Sequence, residues 1–417
     1  MKKRVEFFIL KSFILFCSIL VLCCKKYPEM TLEEIDAYRA QSSDGILSKT
    51  INKPFTDEQW KTGKSGGVWN STISADPKSF NLLIAERDGA TKGILSQMVD
   101  SLVDYNYVKR EWVPRLASFK IVTNNEKDTL DVIYTLRDDI YWSYYKNRYE
   151  KIEITSDDVY FWYDEIYGDE ECGSSAYNSR FMEMKDGSEK EITIEKIDKK
   201  SFVFHFPRIV AEPLLATNMD FGPAFIYKKA KDEGGVQAVK NLFTVAVDPK
   251  EIPSCGKYFL TEYTPGQRLV YERNDDYWEK DSQKKSIVYP EKMICQIVGD
   301  NNTEYLLFKQ GKLEDYATTP EQLEDVVNSA NNLEDTGYTV FSSAGNTSAP
   351  FWTFNQNPVN SAKPFYKWFT KKEFRQAMSC LLNRERIISQ TYRGLAEPKY
   401  TFFPSANKYY NEEIILQ

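Results

Sequence analysis

The stretch Ser254-Cys-Gly-Lys-Tyr-Phe-Leu-Thr-Glu-Tyr-Thr-Pro-Gly-Gln-Arg-Leu-Val-Tyr-Glu-Arg-Asn-Asp-Asp-Tyr-Trp278 reads as two β-strands and the turn between them. Lys257 to Tyr263 and Arg268 to Arg273 are rich in the aromatic and branched residues that suit a pleated, half-buried surface. Between them, Thr264-Pro265-Gly266-Gln267 has Pro second and Gly third. A type II turn wants that order, because its third residue takes positive φ.

Working outward, strands and helices alternate. Strands are expected at Val68–Ser74, Thr129–Leu136, Ile192–Ile197, Ser201–Phe206, Met293–Val298 and Phe351–Asn355. In Thr129–Leu136 the apolar residues Leu130, Val132, Tyr134 and Leu136 recur with period two. Helices are expected at Thr91–Leu102, with Ile94, Leu95, Met98 and Leu102 on one face. Others are expected from the N-cap Ser156, at Asn302–Lys309 closed by Gly311, and at Lys372–Leu382. Mixed elements without a repeat period predict a multilobed α/β protein.

The chain has 417 residues, room for more than one domain. Its net charge of −7 argues against nucleic-acid binding, which needs a basic face. A single histidine, His205, makes His-based metal sites and triads a poor expectation; on its strand it reads as a solvent-facing residue. Gly63-Lys64-Ser65-Gly66-Gly67 lacks the leading Gly of a phosphate-binding loop and precedes a strand, so it is not read as one. Adjacent carboxylates such as Asp157-Asp158 and Asp275-Asp276 read as helix and turn caps. No reaction centre is recognisable, and the expectation is a non-enzyme without cofactor or metal.

Residues 1–24 read as an export leader. Lys2, Lys3 and Arg4 precede the 11-residue apolar run Ser12–Leu22, short of the roughly 20 residues that span a bilayer. Leu20-Val-Leu-Cys-Cys24 is similar to a bacterial lipobox, and its loose form resembles spirochaete lipoproteins. Cys24 is the expected lipidation site. Losing residues 1–23 takes the net charge from −7 to −10. Residues 25–67 read as a tether, with a capping box opening at Thr31. Cys172, Cys255, Cys295 and Cys380 are widely scattered, and both disulfides and buried free thiols stay open.

Four stretches, taken in order, carry a family resemblance. Ser74-Ala-Asp-Pro-Lys-Ser-Phe-Asn81 is similar to DPxSLNP. Val113-Pro-Arg-Leu-Ala117, Tyr134-Thr-Leu-Arg-Asp138, Tyr141-Trp142 and Thr155-Ser-Asp-Asp-Val159 follow PxLA, YTFxLRxxVxWxDG and TAxDV. The opening stretch follows GPYxLxxYxPGQ and RNPxYW. Phe354-Asn355, Phe374-Arg-Gln-Ala377, Asn383-Arg-Glu385 and Gly394-Leu-Ala396 follow FN, RQA, DRE and GxA. Together they resemble the bacterial extracellular solute-binding proteins of family 5, the oligopeptide-, dipeptide- and nickel-binding proteins of ABC importers, across nearly all of residues 68–410.

The resemblance implies a periplasmic-binding-protein-like two-lobe α/β fold of type II, the large peptide-binding variety. Lobe one would cover 68–318, with an inserted subdomain at about 84–200, and a partial lobe two 319–417. It implies an exported, lipid-anchored monomer that captures peptides between its lobes and delivers them to a permease and ATPase. Asp76, Lys78, Tyr316, Thr318, Trp352, Phe354 and Asn355 are the implied ligand-binding residues. Arg137 and Arg273 are expected to hold motif loops. The chain departs from the pattern after Trp142, where Ser143-Tyr-Tyr-Lys replaces Asp-Gly and a surface turn is expected. It also ends soon after Ala396, where family members continue, so an incomplete second lobe of marginal stability is expected. The alternatives are a surface lipoprotein for signalling or adhesion, and a non-functional truncated paralogue.

Overall fold

A computed structural model describes residues 63–106, 109, 111–281, 283–330, 351–393, 396, 398–403 and 409–411. The leader, Cys24 and the capping box at Thr31 lie outside the described residues. Thr56 to Ala317 form one compact unit, and the residues from Thr318 belong to another. Among the described residues, no helix is long and apolar enough to cross a membrane.

Beside three two-stranded ribbons, eight strands of the first unit form two four-stranded sheets: β1 (Val68–Ile73), β2 (Ala117–Asn124), β3 (Thr129–Leu136), β4 (Thr193–Lys196), β5 (Ser201–Phe206), β6 (Tyr258–Thr264), β7 (Arg268–Arg273) and β8 (Lys292–Ile297). One sheet has the order β1-β8-β7-β6, the other β4-β5-β3-β2. β1 and β8 run parallel, Val68 facing Lys292, while the other pairs are antiparallel. The opening stretch forms the hairpin β6–β7. Its turn closes with the Gln267 N–H donating to the Thr264 carbonyl at 3.0 Å, and Gly266 takes φ +67°.

Alternation sets the cores. On β3, Leu130, Val132, Tyr134 and Leu136 are all buried, meeting Phe202, Phe204 and Phe206 of β5. The Tyr134 and Phe202 rings stack at 5.3 Å. A second core lies on the first sheet, where Leu260, Leu269 and Tyr271 pack with Phe80, Ile94, Leu95 and Met98. His205 is half-exposed, flanked by Asp131 at 2.8 Å and Glu195 at 3.3 Å.

Three local expectations are corrected. The helix expected over Thr91–Leu102 is α1 (Gly89–Leu95), N-capped by Asp88. It ends early because distant donors take the next carbonyls: Cys255 and Gly256 N–H reach Met98 O, and Tyr258 N–H reaches Gln97 O. The N-cap of α2 (Ser156–Phe161) is Thr155, not Ser156. Thr155 and Asp158 form a reciprocal capping box, and the Ser156 hydroxyl donates to Asp198 O instead. The segment after Trp142 is no surface turn at its start. Ser143 is fully buried, bridged to Ser254 through both backbones, and Tyr144 is buried beside it.

The second unit contributes α3 (Pro320–Ala330), α4 (Tyr366–Phe369), α5 (Lys372–Leu381) and α6 (Arg384–Gln390). The strand expected at Phe351–Asn355 is not formed. A strand needs a ladder partner, and among the described residues from Thr318 onward none pairs with it.

Candidate functional site

The family-like motifs of the first unit converge on one polar and aromatic knot. Arg115, from Val113-Pro-Arg-Leu-Ala117, donates to both Asp100 oxygens, Nε to Oδ1 at 2.7 Å and Nη2 to Oδ2 at 2.9 Å. Tyr277 and Trp278, from the end of the opening stretch, donate to the same Asp100 Oδ2 at 3.0 and 2.9 Å. Arg137 lies over the Trp278 ring at 4.3 Å. Burial opposes the Arg115 charge, yet the Asp100 hydrogen bonds and charge outweigh it and hold the guanidinium protonated. Burial, then the neighbouring Asp100 charge, push the Tyr277 phenol upward.

The other motif residues brace backbone. Trp142 Nε1–H and Ala224 N–H both donate to Asp158 Oδ1, at 3.2 and 2.9 Å, inside a site whose burial raises the Asp158 pKa. Asn274 Nδ2 donates to Gly256 O at 3.0 Å. A Cβ at Gly256 would sit 2.6 Å from the Met98 carbonyl carbon, so only glycine fits. Arg273 bonds Asp275, Ser65 and the carbonyls of Val288 and Tyr289. The motifs that make the sequence recognisable are therefore mostly scaffold.

Of the seven expected ligand residues, three belong to the first unit. Asp76 accepts from Tyr263 OH at 2.7 Å and Gly266 N–H at 2.8 Å, pinning the loop after β1 to the β6–β7 turn. These two bonds, the Gly266 N–H foremost, lower its pKa. Lys78 is 70% exposed and pairs with Asp88 at 3.1 Å. Tyr316 packs its ring on Tyr305 and Phe308 at 5.5 and 5.7 Å.

The other four belong to the second unit. Thr318 is half-buried at its start. Trp352 is 64% exposed and lines an open groove of about 340 Å³ with Met378, Leu381, Ile387 and Arg386. Phe354 packs on Phe369 and Phe374 at 5.2 and 5.8 Å. Asn355 Oδ1 accepts from Asn357 N–H and Asn360 Nδ2, an internal turn. Lys78 and Trp352 thus present accessible side chains, while Asp76, Phe354 and Asn355 are engaged internally. Sequence reasoning missed Asp100, which lies in none of the quoted motifs, and the role of the motif residue Tyr263, whose partner Asp76 is 187 residues away.

Among the described residues, no group of three or more His, Cys, Asp or Glu side chains could hold a metal. Cys172, Cys255 and Cys295 are buried free thiols, and Cys380 is exposed.

Residues 111–416 match the family described as bacterial extracellular solute-binding proteins, family 5 Middle. A probable ABC transporter-binding protein of Deinococcus radiodurans is 26% identical over 365 residues, covering 85% of this chain and 58% of that protein. The fold is similar to the periplasmic binding protein DppA of Helicobacter pylori, solved with the peptide STSA. The TM-score is 0.60 at 18% identity, over 84% of this chain and 63% of that one. It is also similar to MelB of Agrobacterium fabrum, solved with stachyose, with a TM-score of 0.63 at 17% identity, over 87% of this chain and 56% of that one. The chain thus spans less than two thirds of the length of each. With most of its length matched, the chain belongs to the bacterial extracellular solute-binding proteins of family 5 and has their type II periplasmic-binding-protein fold.

Proposed function

We propose that this chain is the solute-binding component of a bacterial ABC importer, that its cargo is peptide, and that it is exported and anchored through lipid on Cys24. The family match over residues 111–416 carries the reading. On this proposal residues 68–318 are lobe one and residues 319–417 a partial lobe two. Lys78 and Trp352, with exposed side chains, contact cargo; Asp76 positions the β6–β7 turn. Tyr316, Thr318, Phe354 and Asn355 complete the set of proposed ligand-binding residues.

The test is a thermal-shift screen of the purified chain from Lys25 onward, against a mixed peptide library and a mixed oligosaccharide library. A ligand that binds only the folded state stabilises it by about 2.7 kcal/mol at a hundred times its Kd. Peptides are expected to raise the midpoint, and Lys78→Ala with Trp352→Ala to reduce the shift. A shift with oligosaccharides alone would replace peptide as the cargo; no shift with either would remove the peptide reading and point to another cargo or a non-transport role. For the anchor, the full chain expressed in a bacterial host should partition into detergent, and Cys24→Ser should not.

A further inference from the structure

The segment Lys363-Pro-Phe-Tyr-Lys-Trp-Phe-Thr-Lys-Lys372 sets four lysines among four aromatic rings and contains no acid. The bias extends around it: residues 351–403 carry nine Lys and Arg against three Asp and Glu, in a chain whose net charge is −7. The rings around α4 touch one another, Trp368 lying 6.3 Å from Phe374 and Phe365 5.1 Å from Phe369, but differ in exposure. Phe369 turns inward, packing on Phe354 at 5.2 Å and Phe374 at 5.9 Å, and this fixes the segment to its unit. Trp368 stays 48% exposed. The ammonium groups of Lys367 and Lys371 lie 5.2 and 5.6 Å from its ring centroid, and all four lysines are exposed.

We propose that this segment is a docking surface for an anionic phospholipid bilayer. Indole rings partition to the headgroup level of a membrane, where an apolar body and a polar N–H are both accommodated. Lysine stems lie along apolar surface while their ammonium groups reach outward to phosphate. Clustered lysines are drawn to anionic headgroups, and apolar contact adds to that attraction. An acidic polypeptide would match the charge. An outward Trp on a four-residue helix, with Phe365 beside it, however, offers a folded partner no groove, and a bilayer needs none. The surface lies far in sequence from Cys24 and does not depend on lipid there or on the identity of the cargo.

The chain from Lys25 onward, free of lipid, is incubated with vesicles of phosphatidylcholine alone or mixed with phosphatidylglycerol, and bound protein is measured by co-sedimentation. Binding is expected on the anionic vesicles only, and it weakens as salt rises because the attraction is screened. Replacing Lys367, Lys371 and Lys372 together by Gln should weaken it roughly a hundredfold at low salt. The Lys→Arg set should retain it, and Trp368→Ala should lose several-fold. The salt titration needs no variant, so a folding defect cannot mask the result. Absence of binding, equal binding to neutral vesicles, or self-association that removes the chain from vesicles would each overturn the proposal.

Discussion

Leu260 and Leu381 are the same side chain in the two units and meet opposite surroundings. Leu260, on β6, is 0% exposed within the core of the first sheet, whereas Leu381, at the end of α5, is 76% exposed. The contrast is general. The first unit closes two cores of its own, while among the described residues 351–411 none is buried. What the sequence shares with its family is also distributed unevenly. In the first unit the shared residues are interlocked side chains; in the second, Arg375-Gln376-Ala377 of α5 and Asn383-Arg384-Glu385 are all unburied.

The largest expected effect tests the knot of the first unit. Asp100→Ala takes from the Arg115 guanidinium, 17% exposed, the carboxylate that holds it through two hydrogen bonds, leaving it Glu279 at 3.2 Å, and strands Trp278 Nε1–H, while Tyr277 OH keeps Glu279. Breaking a buried pair from one side costs about 3–5 kcal/mol. Denaturant unfolding followed by Trp fluorescence should show this loss; a change below about 1 kcal/mol would mean that the motifs do not brace the unit. A matched pair sharpens the comparison. Leu260→Ala should cost about 2–5 kcal/mol, and Leu381→Ala less than about 0.5 kcal/mol. Equal costs would show that the two units are equally packed in solution.

The smallest effect concerns Asp76. Its pKa is lowered on folding by Gly266 N–H and Tyr263 OH, so its carboxylate contributes stability above the unfolded value of about 4. That contribution is lost as pH falls through the lower folded value. Because the group is largely exposed, Asp76→Asn should cost under about 1 kcal/mol at neutral pH. The difference from the parent should close on acidification. A gap that persists below the ordinary carboxylate range would assign the effect to shape instead of charge.

Most of the first unit was legible in the sequence because its signals are local. Period-two alternation placed β3 over Thr129–Leu136, and Pro265-Gly266 fixed the hairpin. Where prediction failed, a distant partner had overridden a local preference. α1 stops at Leu95 because the 254–258 segment claims the carbonyls of Gln97 and Met98. Ser143 is buried because Ser254 bridges it. Phe351–Asn355 had strand composition but no ladder partner among the described residues. Of the site, Lys78 and Trp352 were named through the family resemblance, which carries no information on their exposure. The engagement of Asp76 by Tyr263 was not, since 187 residues separate the two.

The parallel pairing of β1 with β8 also has a time axis. Asn70 of β1 is bonded to Glu314, 244 residues further along, and Val68 aligns with Lys292. At about 5–20 residues per second, a ribosome needs roughly 10–50 s to make that interval. Throughout it the first strand has no neighbour to hydrogen-bond, and closing so long a loop slows the pairing further. The sheet within residues 117–206 can close during that interval, but the sheet holding β1 cannot. The fold completes only once the tail end of the first unit has arrived on the same side of a membrane as the head.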